Sequence, residues 1–138
     1  MNFFLIDYSD QYFRRIKKSE VPRRRGGKFV QILDEANEGE YLVLSPKDLS
    51  VYHANIVERF CAPKGIKGSY NPKKDNFTIH DKDWVVAGGG IWAIDEDKKS
   101  LELSGASERY GAFEATGLKS KIFNSGIFSG YSLLINGF

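Results

Sequence analysis

Cysteine is almost missing from this chain of 138 residues. The single Cys61 excludes an intrachain disulfide framework and a cysteine-based zinc cage, since both need several thiols. It also fits a reducing, cytoplasmic location. Long apolar runs are missing too: nothing approaches the roughly 20 residues that would span a bilayer, so no membrane partner is expected. The opening Phe3-Phe4-Leu5-Ile6 has no basic region ahead of it and meets Asp7, so a secretory signal is not expected. No excess of one charge exists either, with 20 basic and 18 acidic residues, so whole-chain charge argues neither for nucleic acid nor for an acidic partner. Only two histidines, His53 and His80, are present, and no His/Asp/Glu set has zinc-like spacing.

What is present is core material. Hydrophobic residues make up 41% and aromatics 14% of the chain, enough to fold a single domain of this length without a separate cofactor module. Charge is distributed unevenly: residues 1–28 carry eight Lys or Arg against three acids. With Pro22, Gly26 and Gly27, this stretch reads as a basic N-terminal arm or lead-in, and 29–138 as the folded domain.

Within that domain Phe29-Val30-Gln31-Ile32-Leu33 and Tyr41-Leu42-Val43-Leu44 read as a hairpin across the turn Asn37-Glu38-Gly39-Glu40. Ser45, Pro46 and Asp48 then supply a cap, a first-turn proline and a first-turn acid, which predicts a helix running to about Phe60. Its apolar stripe, Leu49, Tyr52, Ile56, Val57 and Phe60, includes His53. Strands are predicted at 77–79, 84–87, 91–94, 100–103 and 131–135, and a second helix at 113–123 that contains Gly117. The fold class is α/β (α+β): a single mixed, mostly antiparallel sheet flanked by two helices.

Chemistry concentrates in few places. His53, an imidazole in an apolar stripe, must find a buried partner or open onto a cleft; His80, beside a charged turn, is assigned no role. Gly88-Gly89-Gly90 leads into a strand, not a helix, so it reads as a bulge or a close backbone approach instead of a phosphate loop. Asp95-Glu96-Asp97 beside Lys98 and Lys99 reads as a solvated corner and not a metal site. The glycine- and hydroxyl-rich loop 104–111, with Arg109, can converge N–H groups on an anion. Cys61 is read as packing, with no basic partner in sequence.

Tyr52-His53-Ala54-Asn55-Ile56, Ala87-Gly88-Gly89-Gly90, Lys98-Lys99 and Gly105-Ala106-Ser107-Glu108-Arg109-Tyr110-Gly111, in that order and spacing, resemble the Janus family, to which phosphohistidine phosphatases belong. The resemblance spans about 41–135. It implies a phosphohistidine-phosphatase-like fold, a metal- and cofactor-independent hydrolase acting on a phosphorus–nitrogen bond, a catalytic His53, and phosphate-binding backbone N–H groups at Ser107, Glu108 and Arg109. Two positions that the family makes basic are here Glu40 and Ile91, and Arg109 and Lys47 are the candidates to replace that charge.

Three functions follow as expectations. The first is hydrolysis of a phosphoramidate, most directly protein phosphohistidine, with His53 as general acid or base; the partner is then a phosphorylated protein or small phosphoramidate and the chain a monomer. The second is a phosphate- or phosphoprotein-binding module of the same fold without turnover. The third, ranked last, is a nucleic-acid contact through Arg23-Arg24-Arg25.

Overall fold

A computed structural model describes residues 2–136; of the two ranges above, residue 1 and residues 137–138 lie outside the described residues. The described chain is an α+β fold built on a curled six-stranded mixed sheet. Its strands are β1 (Asn2–Asp7), β2 (Arg24–Asp34), β3 (Gly39–Pro46), β6 (Trp84–Asp95), β7 (Ser100–Ser104) and β8 (Ser132–Asn136), in the order β1-β3-β2-β6-β7-β8. The outer pairs β1–β3 and β7–β8 are parallel and the inner pairs antiparallel. A separate two-stranded sheet joins β4 (Gly68–Tyr70) and β5 (Phe77–Ile79).

Each face of the large sheet carries one helix, because the strands alternate apolar residues on both sides. Phe29, Leu42, Leu44, Trp92, Leu101 and Leu103 form one core with Leu118 and Ile122 of α2 (Leu118–Ser125). Val30, Ile32 and Val43 form the other with Ala54, Ile56, Val57 and Phe60 of α1 (His53–Cys61). No described helix is long and apolar enough to cross a membrane.

The predicted hairpin is β2–β3, with Phe29 opposite Leu44 and Ile32 opposite Tyr41. The basic lead-in, however, is not an arm. Residues 2–7 are an edge strand: Phe3 and Leu5 pack on one core, Ile6 on the other, and Phe4 stacks on Tyr41 at 4.7 Å. A π-helical turn, Gln11–Ile16, follows, and residues 24–28 belong to β2. The charge run masks this because register places it against the acidic corner. Arg23 meets Asp97 at 2.6 Å, Arg24 meets Asp95 at 3.4 Å and Arg25 meets Glu96 at 3.0 Å.

Three other expectations change. Ser45 and Pro46 do not start a helix. They end β3, where Gly27 pairs with Pro46 and the Ser45 and Ser50 hydroxyls lie 2.7 Å apart. The helix begins eight residues later, after Tyr52 in extended conformation, and Asn55 Oδ1 accepts the Tyr52 N–H at 2.8 Å. Leu49 and Tyr52 thus lie outside it. The segments 84–87 and 91–94 are one strand, β6, because the three glycines continue the ladder with an irregularity opposite Gln31 and Ile32. Gly117 is the boundary before α2 and not an interior residue, with φ +75° in the left-handed region that favours glycine.

Candidate functional site

His53 is the first residue of α1 and lies on its buried face with Ala54, Ile56, Val57 and Phe60, which pack on Val30, Ile32 and Val43 of β2 and β3. It reaches the sheet because Gly89 has no side chain: a Cβ there would stand 2.9 Å from His53 Cδ2 and 2.6 Å from the Phe29 carbonyl. The glycine run is therefore the close approach that the sequence indicated, with a purpose: it admits the imidazole. His53 Nε2 lies 2.9 Å from the Gly90 carbonyl oxygen. A carbonyl only accepts, so Nε2 holds the hydrogen in the bond and the neutral ring keeps its lone pair on Nδ1. Among the described residues Nδ1 makes no hydrogen bond.

Burial lowers the His53 pKa below the ordinary 6.5; the Gly90 carbonyl opposes this and the Lys28 charge adds to it. The ring is thus neutral at pH 7. The linkage is signed: the unfolded chain takes up the proton near pH 6.5, the folded chain only at lower pH, so stability falls as pH drops below that value. His53→Gln should flatten the stability–pH profile between about pH 7.5 and 5. Chemical denaturation at several pH values checks this, and identical slopes for parent and variant would contradict it.

The loop after β7 is fastened at its ends and open at its tip. Ser107 and Gly111 exchange both backbone bonds, at 3.0 and 2.8 Å, and Gly89 N–H donates to the Gly111 carbonyl at 3.1 Å, which moors the loop on β6 beside His53. Ser107 Oγ accepts the Tyr110 N–H at 3.1 Å. Tyr110 Oη in turn donates to the Phe77 carbonyl at 2.6 Å and accepts the Phe77 N–H at 3.0 Å, linking the loop to β5. Glu108 and Arg109 form the exposed tip, and their N–H groups make no hydrogen bond among the described residues.

His53, Ser107, Glu108 and Arg109 line one pocket of about 230 Å³, with Lys28, Tyr52, Asp75, Ile91 and Ala106. Four of the five candidate residues meet there. The fifth, Lys47, does not: its N–H bonds the Gly26 carbonyl and its side chain is exposed elsewhere. The expected amide set also shrinks, because the Ser107 N–H is spent on Gly111.

Two residues of the pocket escaped sequence reasoning. Lys28 pairs in register with Ile91 on the neighbouring strand and brings a cation to the place where Ile91 brings none. Strand alternation from Phe29 was the signal for it, hidden by counting Lys28 with the basic run. Asp75 had no signal. It comes from the β4–β5 loop, where Asn71 Nδ2 donates to Asp75 Oδ1 at 2.7 Å and Asn71 Oδ1 accepts the Asp75 N–H at 3.0 Å. Its other oxygen meets Arg109 Nη2 at 2.5 Å. The Asn71 amide first, and Arg109 after it, hold this carboxyl below the usual range.

Glu40, by contrast, is not a pocket residue. It is buried on the α2 side, bonded to Lys121 at 2.6 Å and to Gln31 at 3.0 Å. His80 bonds Ser69 at the surface. Cys61 is buried at the far end of α1, and burial pushes its thiol up to about 11, so no thiolate forms near neutral pH.

No protein-family model matches the chain, and no curated protein matches it in sequence.

Proposed function

We propose that the chain hydrolyses phosphoramidates, with protein phosphohistidine as substrate, using His53 as base and then acid and needing neither metal nor cofactor. The observation that carries this reading is the anchored, neutral imidazole, its Nδ1 lone pair free, in one pocket with the unoccupied Glu108 and Arg109 N–H groups. The phosphoryl oxygens lie on those two amides, with Lys28 and Arg109 supplying positive charge. Nδ1 takes a proton from water as its oxygen bonds to phosphorus. The P–N bond breaks, and the imidazolium returns the proton to the leaving nitrogen, releasing inorganic phosphate. A histidine suits both halves of that exchange because its ordinary pKa is close to the operating pH.

The Janus resemblance supports the same reading, and Lys28 answers the charge deficit at Ile91. Replacing Lys28 by Met should weaken inorganic phosphate binding by about three- to tenfold, the range of a partly exposed charge-assisted contact. Isothermal titration measures this, and unchanged affinity would remove Lys28 from the site.

One observation favours a second reading, a phosphate-binding module without turnover. Arg109 is already held by Asp75 and the Ser107 N–H by Gly111, which leaves fewer donors to stabilise a transition state than to hold an anion. Release of phosphate from a phosphohistidine peptide, with chelator present, separates the two: turnover supports the hydrolase, and binding without turnover supports the module.

A further inference from the structure

A pocket shaped only for a phosphoryl dianion would be lined by donors and cations, and this one is not. Of the groups that face His53, Lys28 and Arg109 are positive while Asp75 and Glu108 are negative. The negative pair is built in. Asp75 is locked by Asn71 through its backbone and one carboxylate oxygen, and the Tyr110–Phe77 bonds fix its loop against the Arg109 loop. Glu108 makes no ion pair among the described residues, so its charge stands uncompensated beside its own free N–H. The rim adds exposed apolar surface, Tyr52 at 48% and Ile91 at 53% exposure, next to these acids.

Resting on the reading above, we infer that the phosphoryl group is presented by a polypeptide with a lysine or arginine beside the phosphorylated residue, and that Glu108, backed by Asp75, recognises that cation. Neighbouring Cα atoms are about 3.8 Å apart, so such a side chain reaches the rim while the phosphoryl group occupies the amides. Its aliphatic stem lies on Tyr52 and Ile91 and its charged head meets the carboxylates, the division of labour that long basic side chains favour. Asp75 cannot release Arg109 to the phosphate without cost, and a ligand cation that takes its place on the carboxylate offsets that cost. The basic half of the pocket holds the phosphate, and the acidic half reads the flank.

The test compares two peptides that carry a stable phosphonate analogue of phosphohistidine and differ only in having Lys or Ala next to it, with inorganic phosphate as reference. Calorimetry on the full chain should show a preference for the Lys peptide of about three- to fivefold at low salt, shrinking as salt rises. Glu108→Gln, at an exposed loop tip, should reduce that preference to less than about twofold while binding inorganic phosphate more tightly, because one anion has left the rim. Asp75→Asn should move both quantities in the same directions. Equal binding of the two peptides by the parent, or an undiminished preference in Glu108→Gln, overturns the inference while phosphate binding leaves the pocket's function standing. Absence of binding by phosphate and by both peptides overturns the inference and the reading on which it rests together.

Discussion

His53→Ala is expected to slow phosphate release from a phosphohistidine peptide by about 10²–10⁴-fold, the usual contribution of a positioned acid–base group. Among the described residues His53 is the one imidazole lining the pocket, and imidazole is the side chain suited to both halves of the proton exchange near pH 7. Lys28 and Arg109 carry donors only, and Asp75 is held on both oxygens. The loss should fall on kcat, with KM less affected, since the amides of Glu108 and Arg109 and the Lys28 charge remain. Removing the ring also leaves the Gly90 carbonyl without its donor, at about 1–3 kcal/mol, so the folded fraction must be checked by circular dichroism before rates are compared. Added imidazole should restore part of the rate by entering the space left by the ring. Equal turnover in parent and variant would remove His53 from the chemistry.

The second large effect is structural. Gly90→Ala would place a Cβ 2.3 Å from the Ser104 carbonyl and 2.9 Å from the Phe29 ring. The first of these is backbone of β7, so relief requires β6 and β7 to part, and the Gly90 carbonyl that anchors His53 moves with them. Destabilisation of about 2–4 kcal/mol is expected, at the upper end for an overpacked site. Gly65→Ala is the comparison: φ there is +70° but nothing lies within 4 Å, so only the conformational cost of about 1–2 kcal/mol applies. Urea midpoints for the two variants should differ with Gly90→Ala the lower, and the reverse order would show that the contact around β6 is looser than described.

These two experiments probe opposite ends of what the sequence carries. Short apolar runs made residues 29–33 of β2, β3 and β8 readable, alternation made β7 readable, and the stripe Ile56, Val57, Phe60 made the buried face of α1 readable with His53 on it. The start of α1 was not readable, because Ser45-Pro46-Lys47-Asp48 has the local chemistry of a helix entrance while long-range pairing of Gly27 with Pro46 holds it in a strand. Local preference lost to sheet register there. The same register hid the N-terminal strand and turned the Arg23–Arg25 run from an apparent arm into partners for Asp95–Asp97. In the pocket, the loop 104–111 with Arg109 stood out by its composition, and the Janus resemblance pointed to Ser107, Glu108 and Arg109 within it. Asp75 did not stand out, because its place depends on a loop folded by Asn71 and delivered by the small second sheet. The two positions that set the family resemblance against this chain, Glu40 and Ile91, separate in space: Glu40 belongs to a buried network with Gln31 and Lys121, and only Ile91 borders the pocket.

The central claim is that the imidazole of His53 and the amides of Glu108 and Arg109 act on one anion. Titration of ¹⁵N-labelled protein with inorganic phosphate, followed by nuclear magnetic resonance, tests it most directly. The account predicts that the Glu108 and Arg109 amide signals and the His53 ring signals shift together along one saturable curve, with the Lys47 amide unmoved. Shifts confined to the Arg23–Arg25 strand, or a His53 ring indifferent to phosphate while the loop amides respond, would contradict it.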